Sequence, residues 1–394
     1  MTDTALLAVL LAAVAGLLAG RAATRALRIA GRSGQSGFRT SPHYTQGLHY
    51  LASGQVDLAA TELAKASRSE PDALEIQLVL GNLLRESGQV ERAIQVHQGL
   101  LGRPDLSRAE RAHFLVCLGI DLRKAGFIDR ATRTFEDVVE IDPKNIHALI
   151  GLEKLHEEQR QWREAYDLAT RVARLRKSDD SLVLAFLQAE IGHEAARAGR
   201  TAEAVAAYET ALALDRRVFP AQLGLADLHA TSDPLRAAAI LESAIQMAPE
   251  RAYLAFDRLV RAYAAGGEPS RFITLCEKII RQDQNDWRAR LALARHLREE
   301  GRSDEAFGLV LRAVEANPQV LVAHLEMWLT LRALGVGSEA VDRYIDAALG
   351  SVFYRDPHLC TACRYRAGDM LWRCPHCHEW NTFVEERVGP RTAP

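Results

Sequence analysis

Four cysteines in the last part of the chain have the spacing of a metal site. Cys360, Cys363, Cys374 and Cys377 form the pattern C-x2-C-x10-C-x2-C within 18 residues. Each C-x2-C pair places two thiolates on one tight turn, and two such turns complete the tetrahedron that zinc or rubredoxin-type iron prefers. The spacing therefore predicts one zinc or iron ion bound by these four residues. Four thiolates leave no open coordination position, so this site contributes to folding rather than to catalysis.

Three alternatives remain open for the same residues. Two disulfides are disfavoured because the topology predicted below places the segment in a reducing compartment. A mixed site that uses His376 or His378, which flank the last cysteine, is disfavoured because four thiolates already suffice. An iron-loaded site could transfer electrons, and a ferric-thiolate spectrum with reversible reduction would reveal it.

A segment this short needs an apolar core in addition to a metal ion. We assign residues 351–385 to a rubredoxin-like metal-binding unit and residues 386–394 to a tail. We expect the core of this unit to consist of its aromatic residues, namely Phe353, Tyr354, Tyr365, Trp372, Trp380 and Phe383. Because few residues separate the unit from the last repeat, we also expect it to dock on the repeat array, with Phe353 and Tyr354 packing at the junction.

The other end of the chain has the pattern of a membrane anchor. Residues 4–20 carry no charge, and five arginines follow before the next acidic residue, Asp57. Seventeen helical residues span about 25 Å, and Arg21 can extend to the interface, so we predict a transmembrane helix over 1–22 and a basic linker over 23–39. The arginines place the rest of the chain in the cytoplasm. A cleaved signal peptide is the alternative, but its positive charge would precede the apolar run.

Composition and motifs indicate a helical protein without catalytic function. The net charge is -2, a quarter of the residues are charged and 6% are aromatic, which argues against a nucleic-acid partner and favours helices. The sequence contains no G-x-G-x-x-G after a strand, no phosphate-binding loop, no H-E-x-x-H and no G-x-S-x-G. We therefore predict that the protein is not an enzyme.

Glycine and alanine recur through the middle of the chain with a period near 34. Gly54 and Gly88 are 34 residues apart, and so are Gly301 and Gly335. Each glycine is followed five residues later by an alanine, at Ala59, Ala93, Ala306 and Ala340. This period and these small residues are typical of tetratricopeptide repeats, in which two antiparallel helices pack closely.

The register predicts an all-α superhelix of about nine repeats over residues 40–350. The predicted repeats start near residues 40, 74, 112, 146, 185, 218, 252, 287 and 321, and those near 146, 218 and 252 lack one of the characteristic glycines. Cys117 and Cys276 fall within predicted helices, where we expect them to be packing thiols.

Such an array forms a groove, lined by the first helix of each repeat, that binds protein segments. Counting along these helices gives a candidate set for partner binding: Asn82, Arg85, Arg123, Lys124, Lys154, Arg197, Arg295 and Arg298. Each of these alone could be an ordinary solvated helix residue. The positive bias of the whole set indicates an acidic partner.

These three parts in this order resemble the lipopolysaccharide assembly protein B family of Gram-negative bacteria. The stretch LCTACRYRAGDMLWRCPHCHEW is similar to the two C-terminal C-x2-C turns of that family, which are called knuckles. The similarity includes Tyr365, Trp372 and Trp380. Arg364 stands where a rubredoxin usually has glycine, and the spacing of ten between the cysteine pairs is shorter than in true rubredoxin. Both departures make an electron-transfer site a weaker hypothesis.

The resemblance implies a regulatory adaptor of the bacterial inner membrane, with a single span and with its repeats and metal unit in the cytoplasm. It implies that the protein restrains lipopolysaccharide synthesis by helping the membrane protease FtsH degrade the deacetylase that commits precursors to lipid A. Confining both partners to one membrane surface raises their effective concentration. The residues alone indicate a membrane-tethered scaffold, for which another envelope complex or rubredoxin-like electron transfer are the alternative functions.

Overall fold

The computed structural model of the chain describes residues 41–318, 320–336, 343 and 358–385. Within these residues, α-helices are followed by a small antiparallel sheet. The predicted anchor at 1–22, the linker at 23–39, the aromatic junction at 353–354 and the tail at 386–394 lie outside the described residues. None of the helices in the described ranges combines the length and apolar character that a bilayer span requires.

The chain divides into two compact units, residues 1–126 and residues 127–394. The helices of the first unit form antiparallel pairs followed by a single helix. They are α1 (Pro42–Ala52), α2 (Val56–Ser69), α3 (Leu74–Glu86), α4 (Val90–Leu101) and α5 (Arg108–Lys124).

The second unit contains the remaining helices and the sheet. Its helices are α6 (Ile128–Ile141), α7 (Ile146–Glu158), α8 (Trp162–Arg176), α9 (Ser181–Arg197), α10 (Thr201–Leu214), α11 (Phe219–His229), α12 (Pro234–Met247), α13 (Phe256–Ala265), α14 (Ser270–Gln282), α15 (Trp287–Glu299), α16 (Ser303–Ala316) and α17 (Leu321–Ala333). A 3₁₀-helix, Pro249–Leu254, precedes α13.

Glycine in a first helix and an aromatic ring in a second helix explain how the pairs pack. The Tyr208 ring of α10 lies between Gly192 of α9 and Gly224 of α11, where an added Cβ would come within 2.5 Å and 2.4 Å of it. Phe135 fills the same kind of space beside Gly151. Small residues therefore let neighbouring helices approach closely while the ring fills the gap between them. The tetratricopeptide fold predicted from the sequence is confirmed.

The turns within the pairs require a left-handed residue. Gly88 and Gly301 adopt φ angles of 80° and 79° there, which glycine tolerates without steric cost. The α7/α8 pair lacks this glycine, and Arg160 takes the left-handed conformation instead, with φ 59°. The degenerate repeat near residue 146 thus keeps the geometry of its turn without the residue that usually provides it.

The sheet forms the frame of the C-terminal unit, residues 358–385, which we call the knuckle unit. Its central strand β1 (His358–Cys360) pairs antiparallel with β2 (Arg366–Ala367) on one side and with β3 (Phe383–Glu385) on the other. Cys360, opposite Phe383, ends the central strand, so the first of the four cysteines emerges from the sheet into the following turn.

Candidate metal centre and its docking surface

The four cysteine sulfurs converge on one point. The Sγ atoms of Cys360 and Cys377 are 3.7 Å apart, those of Cys363 and Cys374 are 3.6 Å apart, and all four lie within 4.8 Å of one another. A tetrahedral ion with metal–sulfur bonds of about 2.3 Å would separate its ligands by about 3.8 Å. The donor set and its spacing therefore fit one tetrathiolate ion.

Two turns of the same shape hold the sulfurs in place. In the first turn the Arg364 N–H donates to the Cys360 carbonyl, and in the second the His378 N–H donates to the Cys374 carbonyl, both at 2.9 Å. Arg364 and His378 have φ angles of 63° and 61°. The departure from glycine at Arg364 is thus accommodated, although the left-handed conformation costs a residue with a Cβ on the order of 1 kcal/mol.

Backbone N–H groups surround the sulfurs and favour negative charge there. The N–H groups of His376 and Cys377 lie 3.4 and 3.5 Å from Cys374 Sγ. Burial opposes ionisation of Cys360, but hydrogen bonding with Thr382 and the turn backbone outweighs it and lowers its pKa to about 6. Burial raises the pKa of Cys377 to about 12. Cys360 and Cys377 therefore do not ionise over the same pH range unless a cation compensates their charge.

The two flanking histidines are directed elsewhere. The His376 ring stacks on Tyr365, with centroids 6.2 Å apart and planes inclined by 13°. His378 Nε2 lies 3.9 Å from a carboxylate oxygen of Glu158 in α7. The sulfur cluster itself contains only cysteines within the part of the chain that the structure describes.

The core of the knuckle unit is smaller than we predict from its aromatic residues. Its fully buried residues are Cys360, Cys374 and Phe383, and Tyr365 is 41% exposed. The expectation that the two tryptophans belong to this core is wrong. Both lie against the helices instead, on Trp162, Phe186 and Phe219.

Trp372 and Trp380 join the apolar core of the repeats. Trp380 is buried, and its ring stacks on Phe186 of α9 at a centroid distance of 5.4 Å and meets Trp162 of α8 edge-on at 6.3 Å. Trp372 stacks on Phe219 of α11 at 6.2 Å. Two indoles from the second knuckle therefore cover three aromatic residues that come from successive helix pairs.

Polar contacts surround this aromatic contact. Arg373 Nε lies 2.7 Å from Glu157 Oε2, and the Glu157 side chain has no exposed surface. At the other edge, Tyr253 Oη and His358 Nε2 are 3.0 Å apart. An ion pair between Arg288 of α15 and Glu385 extends the contact to a further helix pair.

The predicted docking of the knuckle unit is therefore confirmed, and its location is a finding of the structure. The contacts run from the end of α7 to α15, across the middle of the repeats. The signal that could have revealed this surface is the set of aromatic residues Trp162, Phe186 and Phe219 near the first turns of their helices. Sequence spacing does not connect them to the tryptophans, which lie far along the chain.

The candidate partner residues of the first unit form a hydrogen-bonded group. Arg85 donates to Asp121 at 2.9 Å and to the Asn82 side chain at 2.8 Å, and Lys124 donates to the Arg85 carbonyl at 2.9 Å. Arg123 lies beside Lys124 in the last turn of α5. The buried Asp121 compensates part of the positive charge that the sequence suggests.

The candidate partner residues of the second unit are also paired with carboxylates. Lys154 lies 3.1 Å from Glu157, the residue that contacts the knuckle unit. Arg295 and Arg298 both approach Glu326, at 3.5 Å and 2.8 Å, and the Glu326 side chain is almost fully buried. The net positive character expected for a continuous groove is therefore reduced.

Three more residues singled out in the sequence lie in the helices of the repeats. Cys117 and Cys276 are buried free thiols, as predicted, and burial raises the pKa of Cys117 to about 11. Burial also raises the pKa of Cys276. Arg197 is exposed in the last turn of α9.

Family models match both parts of this architecture, and a solved structure is similar to the repeats. A family model described as "Rubredoxin metal binding domain" matches residues 358–385. A model described as "Tetratricopeptide repeat" matches residues 44–107, 190–252 and 258–320. The C-terminal part of a tetratricopeptide repeat-containing protein from Cytophaga hutchinsonii matches 72% of this chain and 99% of its own, with 12% identity and a TM-score of 0.44.

Two curated relatives are similar along most of the chain. Lipopolysaccharide assembly protein B of Escherichia coli strain K12 is 24% identical over 348 residues, which cover 88% of this chain and 89% of the relative. The protein of the same name from Haemophilus influenzae is 24% identical over 359 residues, with the same coverage. The resemblance predicted from the repeats and the knuckles is confirmed.

Proposed function

We propose that this relative of lipopolysaccharide assembly protein B is an adaptor that restrains lipopolysaccharide synthesis at the bacterial inner membrane. It would do so by presenting the lipid A pathway deacetylase to the protease FtsH. The observation that carries the proposal is the similarity to lipopolysaccharide assembly protein B over 88% of the chain. Tetratricopeptide repeats typically bind other proteins and do not catalyse reactions.

The docked knuckle unit supports a scaffold role. It contacts helices from α7 to α15, so it ties several helix pairs of the second unit to one rigid element. A repeat array on its own is held only by contacts between neighbouring repeats. A scaffold that must hold two partners in a fixed arrangement gains from such a brace, because less conformational freedom is lost on binding.

We also propose that Cys360, Cys363, Cys374 and Cys377 bind one zinc or iron ion. The ion would neutralise the thiolates and close the small sheet over its three-residue core, as the sulfur distances allow. The knuckle unit would then present Trp372, Arg373 and Trp380 to the helices.

The membrane location belongs to the same proposal. The uncharged run at 4–20 and the arginines after it would form a single span, with the repeats and the knuckle unit on the cytoplasmic side. Anchoring would confine the adaptor to the surface on which a membrane protease acts.

The test is the lifetime of the deacetylase in cells. Deleting the gene should lengthen that lifetime, and the wild-type gene should restore it only while FtsH is active. Cys374→Ser should fail to restore it, whereas Cys117→Ala, a matched change at a buried cysteine of the repeats, should succeed.

An unchanged deacetylase lifetime after deletion would reject the adaptor proposal. Restoration in the absence of FtsH would reject the protease as the partner.

A further inference from the structure

A cleft lies between α14 and α16, the second helices of two successive pairs in the second unit. We call it the arginine cleft. Its volume is about 560 Å³, and residues of α14, α15 and α16 line it. Small-molecule sites in proteins have volumes of about 300–1,000 Å³. The cleft is therefore large enough to hold a small organic molecule.

Part of the lining of the arginine cleft is apolar. Leu293 and Leu297 of α15 are each 3% exposed, and the partly buried Ile280 and Leu309 line the cleft on the two flanking helices. An added Cβ at Gly308 of α16 would have no atom within 4 Å, so no side chain fills the space beside this helix. An apolar group of a ligand would lose contact with water here.

The rest of the lining is positively charged. Among the described residues, four arginines and two glutamates line the cleft. Arg302 pairs with Glu305 at 2.7 Å. Arg281 and Arg312 are exposed, and neither forms an ion pair within the described part of the chain. Glu277 is the carboxylate that remains beside them, so the cleft has an excess of two positive charges.

Arg290, at the start of α15, is the buried cation of the cleft. It is 8% exposed, and its Nη2 donates to the Gln284 carbonyl. No carboxylate of the described residues forms an ion pair with it. A buried guanidinium is costly unless an opposite charge compensates it. An anion bound in the cleft would supply that charge.

A second cleft nearby has the opposite charge. It lies between α12 and α14, has a volume of about 450 Å³, and is lined by Glu242, Glu250, Asp283 and Asp286 alongside Lys278. Two clefts of similar size between second helices therefore differ in the sign of their charge. An anion should bind in the arginine cleft and avoid the acidic one.

We infer that the arginine cleft binds a phosphate monoester that carries an apolar group. The phosphate would meet Arg281, Arg290 and Arg312, because the planar guanidinium pairs well with phosphate oxygens. The apolar group would cover Leu293 and Leu297. A phosphate monoester carries a charge of about −1.5 to −2 near pH 7, which matches the excess charge of the cleft. This site goes beyond the adaptor role, which requires no small ligand.

The test measures binding of hexyl phosphate to the full-length protein in phosphatidylcholine nanodiscs by isothermal titration calorimetry. Arg312→Glu should weaken binding about tenfold or more, because it removes one phosphate contact and adds a repelling carboxylate. Gly308→Leu should weaken binding to a similar degree, because the added side chain fills the cleft. Hexanol, which lacks the phosphate, should bind the wild type far more weakly than hexyl phosphate does.

Each variant has a matched control. Arg133→Glu changes an exposed arginine of α6. Gly99→Leu adds a side chain to a glycine of α4 whose added Cβ also has no atom within 4 Å. Both controls should keep the wild-type affinity, and circular dichroism checks that all four variants remain folded. Absence of hexyl phosphate binding to the wild type, equal weakening in a variant and its control, or equal affinity for hexanol would overturn the inference.

The lipid content of the nanodiscs separates two sources of the ligand. A soluble phosphate metabolite and the headgroup of phosphatidic acid both present a phosphate monoester. If the headgroup occupies the cleft, phosphatidic acid should lower the apparent affinity for hexyl phosphate more than phosphatidylglycerol, a phosphodiester, does at the same mole fraction. Equal affinities with the two lipids would support the inference with a soluble ligand.

Discussion

The repeats and the knuckle unit stabilise themselves by opposite means. Each helix pair buries its own apolar side chains, and rings such as Tyr208, Phe135 and Phe272 are completely enclosed. The knuckle unit fully buries only Cys360, Cys374 and Phe383 in its core. A unit with so few buried side chains cannot offset the conformational entropy lost on folding without further crosslinks.

The knuckle unit gives its two largest apolar side chains to the repeats. Trp372 and Trp380 lie on Phe186, Phe219 and Trp162, outside the core of their own unit. An ion bound by the four cysteines would fix the turns that position the tryptophans, so metal binding and docking would act together. The helix pairs, in contrast, need neither.

The largest effect is expected from removing one sulfur. Cys374→Ser should abolish metal binding and unfold residues 358–385, because three thiolates and a hydroxyl bind the ion far more weakly and little core remains. Elemental analysis should find less than one ion per chain, and hydrogen exchange should become fast in the knuckle unit. The helices should keep their circular dichroism.

The control for this change is Cys117→Ala, which alters a buried cysteine of α5 that lies outside the sulfur cluster. Its metal content should equal that of the wild type. A full complement of metal in Cys374→Ser would contradict the tetrathiolate assignment.

A smaller effect should follow from Trp380→Ala, which breaks the docking and keeps the ligands. Loss of a buried indole at such a contact costs about 3–5 kcal/mol. We expect the metal content to stay unchanged while limited proteolysis cuts the chain close to the knuckle unit. Tyr365→Ala, at the 41% exposed aromatic residue of the same unit, should retain the wild-type cleavage pattern. Wild-type protection in Trp380→Ala would show that the indole contact does not hold the unit in place.

The helix pairs should respond to a single methyl group. Gly192→Ala places a Cβ within 2.5 Å of the Tyr208 ring and should lower the free energy of unfolding by about 1–3 kcal/mol. Gly308→Ala is the matched control, because no atom lies within 4 Å of its added Cβ in α16. There the lower flexibility of alanine should raise stability by about 0.5–1 kcal/mol. Urea unfolding measures both, and equal effects would refute close packing at Tyr208.

The smallest effect concerns pH. Burial, opposed by Lys154 and assisted by Glu157, raises the pKa of Glu153 to about 7. Its folded pKa lies above the unfolded value, so its stabilising contribution is complete below the unfolded pKa and disappears as the pH rises through about 7. Glu153→Gln should therefore raise stability above pH 7 by on the order of 1 kcal/mol relative to its effect at pH 5. Glu164→Gln, at an exposed residue of α8, should leave the pH dependence of the free energy of unfolding as it is in the wild type. A wild-type pH dependence in Glu153→Gln would refute the role given to Glu153.

Local patterns made the fold and the sulfur cluster predictable. Two C-x2-C pairs determine their own turns, and a repeat with a period of 34 specifies contacts between neighbouring helices. Even the degenerate repeat near residue 146 followed the pattern, because Arg160 adopts the conformation that glycine would have provided.

Contacts between distant parts of the chain were not predictable. The sequence predicts that the aromatic residues around the knuckles form one core. In the structure, Trp372 and Trp380 instead pack on aromatic residues of α8, α9 and α11. Likewise, Arg85 and Arg298 looked like free groove cations because the carboxylates that bind them, Asp121 and Glu326, are on other helices. The periodicity of a single sequence does not indicate which residues on different helices form ion pairs.

The docking of the knuckle unit sets an order of events during synthesis. Tyr253 and His358, which meet at the contact, are 105 residues apart in the chain. At a translation rate of about 5–20 residues per second, the ribosome needs about 5 to 20 s to make that stretch. The helices around Phe186 and Phe219 can form as soon as they leave the exit tunnel, since their contacts are local. Their aromatic surface then stays open in the nascent chain for seconds, a window in which chaperones or metal supply decide whether the last unit closes over it.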